Sequence, residues 1–202
     1  FSFIHCRSIL FLDKITCELF FFDYFRCSLQ DLTRMALLTA LLCASAYIAF
    51  PIPITLVNVT AQTFVLNLVA LLLTKEQAGL TVALWILLGA IGVPVYSGGR
   101  GGFSELAGPT GGFIVGFLIA AWLIAWLKGD NPSPRRALVL TFIGIPIIDL
   151  LGAAWYAVYT QIPLTTALLT AALPFLPGDI IKAVGAVLVY LPLRKALRQF
   201  SK

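Results

Sequence analysis

The stretch TGGFIVGFLIAAWLIAWL, residues 110–127, carries no charged side chain and reads as a helix that crosses a membrane. Crossing a hydrocarbon core of about 30 Å at about 1.5 Å per residue takes about twenty apolar residues. Blocks of similar length recur on both sides of it. From Asp31, the run Asp31-Leu32-Thr33-Arg34 opens a helix expected to reach about Phe50 and to stop at Pro51 and Pro53. Further spans are expected at residues 57–73, 77–93, 135–159 and 177–197. Residues 163–173 are too short to cross and are expected to form a surface helix. The expected fold class is an all-α integral membrane protein of six transmembrane helices.

Composition supports this reading and excludes others. The chain has 202 residues, of which 60% are hydrophobic and only 11% charged, with a mean hydropathy of +0.97. Ordinary soluble domains are about 25% charged. The net charge of +5 does not mark a nucleic-acid binder, because Lys and Arg sit between the apolar blocks without interleaved aromatics. They act instead as topology signals. Arg34, Lys75, Lys128, Arg135, Arg136, Arg194, Lys195, Arg198 and Lys202 fall at one set of helix ends, so both termini are expected in the cytoplasm.

Residues 1–30 differ from the remainder, being Phe-rich and interrupted by Asp13, Lys14, Glu18, Asp23 and Arg26. Charges break every apolar run, and no small-residue cleavage site follows, which argues against a signal peptide. The segment reads as an extension, a mis-called start or an extra interfacial helix ahead of a membrane domain at 31–202. It also holds His5 and three of the four cysteines, Cys6, Cys17 and Cys27, without CxxC spacing. Neither metal nor structural disulfide is expected.

On the opposite set of helix ends the cations are Arg100 and Lys182, where topology does not favour them. Lys182 follows Asp179 by three positions, so their side chains share a helix face. Asp179 stands in the first turn after Pro177, where free backbone N–H groups favour a carboxylate. A structural ion pair that caps the helix is one reading; a functional site is the other, since ionisable groups are costly inside a membrane. Arg100 lies in Tyr96-Ser97-Gly98-Gly99-Arg100-Gly101-Gly102-Phe103, followed by Gly108-Pro109-Thr110-Gly111-Gly112-Phe113. Glycines at Gly98, Gly101, Gly111 and Gly112 make sense where backbone turns sharply or closely approaches a ligand or another helix. A P-loop is excluded because GxxxxGK[ST] is absent. Together these residues describe an outward-facing pocket for a small anion with an apolar body, walled by rings such as Tyr96 and Phe103.

The run Gly89-Ala90-Ile91-Gly92-Val93-Pro94-Val95-Tyr96, the Gly-Gly-x-Gly-Gly loop, Gly108-Pro109-Thr110-Gly111-Gly112-Phe113 with Gly116-Phe117, and Leu173-Pro174-Phe175-Leu176-Pro177-Gly178-Asp179-Ile180-Ile181-Lys182 closely resemble the BioY family, the biotin-binding S components of energy-coupling factor (ECF) transporters. The likeness runs from about Asp31 to the C-terminus. It implies a six-helix S-component fold in a bacterial cytoplasmic membrane, which takes up biotin outside and delivers it through one transmembrane scaffold subunit and two ATPases. By matching position, Asp179 and Lys182 would be central biotin ligands and Arg100 a further contact. Gln62, in Thr60-Ala61-Gln62-Thr63-Phe64, falls where the family has a Thr-Leu-Gln-Thr element, and Trp85 falls where members often carry Tyr. Ala36, Ala40 and Ala44 share one face of the first helix, which resembles the family's docking surface for the scaffold; internal helix packing is the other reading. The resemblance implies no cofactor on this chain, ATP being used by the partner subunits.

Asp149, deep in the fifth span, has no partner legible in sequence. It reads as a pocket residue, a partner for Arg100 or Lys182, or a neutral acid. An intramembrane aspartyl enzyme using Asp149 and Asp179 is the rival class, but Lys182 opposes the proton sharing that such chemistry needs, and no Ser–His, Cys–His or metal constellation exists. A subunit for another small vitamin and a carrier working without ATPases are further alternatives.

Overall fold

The computed structural model of the chain describes residues 28–51, 53 and 55–199, with side chains to residue 197. The segment expected as an N-terminal extension, with His5, Cys6, Cys17 and Cys27, therefore lies outside the described residues up to Cys27, as do Lys202 and the side chain of Arg198. Helix α1, Leu29–Ser45, leads into a short antiparallel ribbon of β1 (Ala49–Phe50) and β2 (Val59–Thr60). Then come α2 (Gln62–Leu72), α3 (Lys75–Ala90), α4 (Phe103–Ala107), α5 (Gly111–Lys128), α6 (Pro134–Thr160), α7 (Leu164–Ala171) and α8 (Leu176–Gln199).

Contacts divide the chain after Arg34. The described part of the first unit is the opening of α1, where Thr33 Oγ1 donates to the Leu29 carbonyl at 2.8 Å and Arg34 pairs with Asp31 at 3.5 Å. The second unit, Met35–Lys202, holds the remaining elements.

Local chemistry explains several boundaries. Thr74 and Gln77 form a capping box that starts α3, and Ser133 caps α6 ahead of Pro134. Gly129, with φ 68°, leaves α5 in a left-handed conformation open to glycine. Lys128, buried, donates its ammonium to the carbonyls of Leu71 and Leu73, satisfying the end of α2.

Among the described residues, three helices are long and apolar enough to cross a membrane: Gly111–Lys128, Pro134–Thr160 and Leu176–Leu197. Two of the expected spans are corrected. The first helix ends at Ser45, well before Pro51, and the second begins at Gln62 instead of Val57. With 11 residues, α2 reaches only about 16 Å, short of a full crossing. The intervening chain serves the ribbon, in which Ala49 pairs with Thr60 and Phe50 with Val59. Residues 163–173, expected as a surface helix, contain the 8-residue α7.

The most extensive helix pair is α5 with α6. Its backbones approach closely because glycines line the seam. A Cβ on Gly112 would stand 2.2 Å from Trp155 Cβ and 2.6 Å from the Leu151 carbonyl, and one on Gly152 would stand 2.2 Å from the Cε1 of the Phe113 ring. The core is a single cluster that includes Leu66, Val69, Trp85, Tyr96, Phe117 and Ile124. Outward faces keep large apolar side chains, among them Leu84, Leu87, Ile119, Trp122, Val139, Ile143 and Leu188. Such a surface suits lipid and not water, so the chain is a membrane protein.

Candidate functional site

One cavity collects polar side chains from widely separated parts of the sequence. The β2 segment contributes Asn58 and Thr60, α2 contributes Gln62 and Thr63, α3 contributes Trp85, and the following loop Tyr96 and Ser97. Thr110, Phe113 and Phe117 come from α5 and its approach, Ile148 and Asp149 from α6, and Phe175, Asp179 and Lys182 from the start of α8. The hollow encloses about 600 Å³, its solvent-open mouth included.

Its charged floor is built on the first turn of α8. Lys182 Nζ lies 3.0 Å from Asp179 Oδ1, the i, i+3 relation expected from the sequence. The same Oδ1 accepts the hydroxyl of Thr63 at 3.0 Å, which ties α2 to α8. Asp179 is 7% exposed, so this carboxylate has left water and depends on these partners. Asp149 is similarly buried at 6%, and its Oδ2 has no hydrogen-bond partner among the described residues.

Aromatic rings held by hydrogen bonds make up another part of the lining. Trp85 meets Tyr96 edge-on at 5.3 Å and stacks on Phe117 at 5.9 Å. The Tyr96 hydroxyl donates to the Ile86 carbonyl at 2.6 Å. Burial, and then the nearby charge of Glu105, push that phenol up to about 12, so it remains a donor under ordinary conditions. Trp85 Nε1 and Gln62 Nε2 both donate to the Val95 carbonyl, at 3.0 and 3.2 Å. Thr60 Oγ1 donates to Gln62 Oε1 at 3.3 Å.

Of the residues singled out in the sequence, Gln62, Tyr96, Asp149, Asp179 and Lys182 line this one cavity. Arg100 does not: it is half-exposed, with its guanidinium 3.7 Å from Glu105. Phe103, expected in the wall, is 72% exposed and is absent from the lining. The glycines shape backbone instead of lining the hollow. Gly98 adopts φ 74° in the turn between Tyr96 and Arg100, and its N–H donates to the Ala46 carbonyl at 2.9 Å. A Cβ on Gly101 would meet the Val93 carbonyl at 2.4 Å. Gly111 and Gly112 serve close packing against Trp155 on α6, one of the three uses the sequence allowed. Ala36, Ala40 and Ala44 are exposed on α1, whereas Met35, Thr39 and Leu42 are buried.

Sequence reasoning missed Thr63, Trp85's bond to Val95 and the ribbon residues Asn58 and Thr60 as parts of one site. Thr63 had a signal, a hydroxyl beside Gln62 in an apolar run, but its partner lies 116 positions away.

A sequence model of the BioY family matches residues 19–199. The chain is 35% identical over 175 residues to the biotin transporter BioY2 of Lactococcus lactis subsp. cremoris, covering 86% of this chain and 95% of that one. It is 35% identical over 167 residues to the biotin transporter BioY of Thermotoga maritima, covering 83% and 97% respectively. A crystal structure of the S-component for biotin from an ECF-type ABC transporter superposes with a TM-score of 0.78 at 29% identity, over 82% of this chain and 91% of that one.

Proposed function

The chain belongs to the BioY family, and we propose that it is the biotin-binding subunit of an ECF-type importer in a bacterial cytoplasmic membrane. The relatives are named transporters and not enzymes. The observation that carries the reading is the Asp179–Lys182 pair, held by Thr63, lining one hollow together with the Trp85–Tyr96–Phe117 rings. A lining that combines a hydrogen-bonded ion pair with aromatic rings matches a molecule with polar and apolar parts. Biotin has such parts: a cyclic urea and a carboxylate joined by a thioether ring and an alkyl chain.

In this reading the six longer helices, α1, α2, α3, α5, α6 and α8, form the membrane body, with short α2 supplemented by the ribbon. Both termini face the cytoplasm, on the side of Lys75, Lys128, Arg135 and Arg194, and the cavity opens outside. Asp179, Lys182 and the ring of Tyr96 contact biotin, while Gln62 holds the loop that carries Tyr96. Arg100 reaches biotin only by leaving Glu105. The exposed Ala36, Ala40 and Ala44 dock a transmembrane scaffold subunit, which couples release to two ATPases.

The test is titration calorimetry of the purified chain with biotin in the absence of ATP, paired with uptake of labelled biotin, thiamine and riboflavin in cells lacking their own importers. Saturable biotin binding and selective biotin uptake are expected. Binding of thiamine or riboflavin in preference to biotin would assign the chain to another vitamin, and no binding at all would end the proposal.

A further inference from the structure

Among the polar side chains that line the cavity, most are already engaged. Thr63 donates to Asp179, Tyr96 to Ile86, Trp85 and Gln62 to Val95, and Thr60 to Gln62. Asp179 Oδ1 accepts from both Thr63 and Lys182. Two lining residues carry a buried atom with no partner among the described residues, Asp149 at Oδ2 and Ser97 at Oγ. A hydroxyl both donates and accepts, so Ser97 selects little. A carboxylate oxygen is different: it demands a donor, and its isolation in a membrane fold is costly. No Lys or Arg forms an ion pair with Asp149 among the described residues.

We infer that Asp149 is a specificity-determining residue whose Oδ2 accepts an N–H of the bound molecule, a ureido N–H if that molecule is biotin. The inference rests on the vitamin-binding reading and deepens it by dividing labour between the two aspartates. Asp179 commits its Oδ1 to Lys182 and Thr63 and meets the ligand as one half of that ion pair. Asp149 is the lining carboxylate with a buried oxygen that no protein group satisfies among the described residues, and it rejects molecules that offer an acceptor or a methyl group at that point.

The experiment is a cycle on the purified full chain, measuring affinity for biotin and for biotin methylated on either ureido nitrogen. In the wild type at least one methylated form is expected to bind at least about tenfold more weakly. In Asp149→Leu, biotin itself is expected to weaken by a similar factor, and the methylation penalty to shrink toward none. Without biotin, Asp149→Leu is expected to melt no lower than the wild type, because it removes an unsatisfied polar atom; a purely structural Asp149 would lower it. If the Leu variant fails to fold, Asp149→Asn completes the cycle, with the penalty reduced instead of abolished. Equal methylation penalties in wild type and variant, or undiminished biotin affinity in Asp149→Leu, would overturn the assignment while leaving the biotin reading intact. A wild-type chain that binds no biotin overturns both.

Discussion

Thr63 on α2 and Asp179 on α8 meet through a 3.0 Å hydrogen bond from hydroxyl to carboxylate. The bond fixes the carboxylate rotamer that Lys182 also uses. Thr63→Val keeps the shape and removes the donor, and is expected to weaken biotin binding about tenfold, or about 1.4 kcal/mol. Titration calorimetry of the purified variant checks this, and unchanged affinity would show that the Lys182 contact alone orients Asp179.

Lys182→Ala and Asp179→Asn are each expected to cost at least about 2 kcal/mol of biotin affinity, since each leaves a buried charge or ligand group without its counterpart. The double variant is expected to lose less than the sum, because the two groups act as a pair. Additive losses would mean that Asp179 and Lys182 touch the ligand independently.

The α5–α6 seam gives a stability prediction with its own control. Gly112→Ala places a methyl group 2.2 Å from Trp155 Cβ and is expected to destabilise the fold by about 1–3 kcal/mol. Gly178→Ala meets nothing within 4 Å and lies within α8, so it is expected to be neutral or slightly stabilising. Thermal melting in detergent distinguishes them. Equal melting temperatures would mean that the helices separate at little cost.

Ala40→Trp enlarges an exposed position on α1 without touching the cavity lining. Biotin affinity is expected to stay within about 0.5 kcal/mol of wild type. Uptake and co-purification with the scaffold subunit are expected to fail. Full uptake would return the alanine face to ordinary helix packing.

At the other end of the bundle, Lys128→Met leaves the Leu71 and Leu73 carbonyls without their buried donor. A loss of about 1–3 kcal/mol in stability is expected, with biotin affinity unchanged in the folded fraction. Melting and titration together check it.

The parts legible in sequence were those set by local spacing. Asp179 and Lys182 pair because positions three apart in a helix face one way, and Pro177 marks where that helix begins. The apolar runs gave the long helices for the same reason. Boundaries near the cavity were less legible. No stop signal lies between Ser45 and Pro51; the helix ends where the ribbon pairing of Ala49 with Thr60 takes over, a contact between distant residues. Arg100 looked stranded because topology disfavours it, yet Glu105, five positions on, already supplies a counter-charge at 3.7 Å. Gln62 is singled out by its place in an element resembling the family's Thr-Leu-Gln-Thr, but its bond goes to a main-chain carbonyl that no sequence pattern marks.

That carbonyl, of Val95, takes hydrogen bonds from both Gln62 and Trp85. Scanning mutagenesis would pass over it, since every ordinary replacement of Val95 keeps the same oxygen. Weakening it by a backbone ester after Val95 would loosen two helices from one loop at a stroke, while all twenty side chains at that position tell the experimenter only about valine's methyl groups.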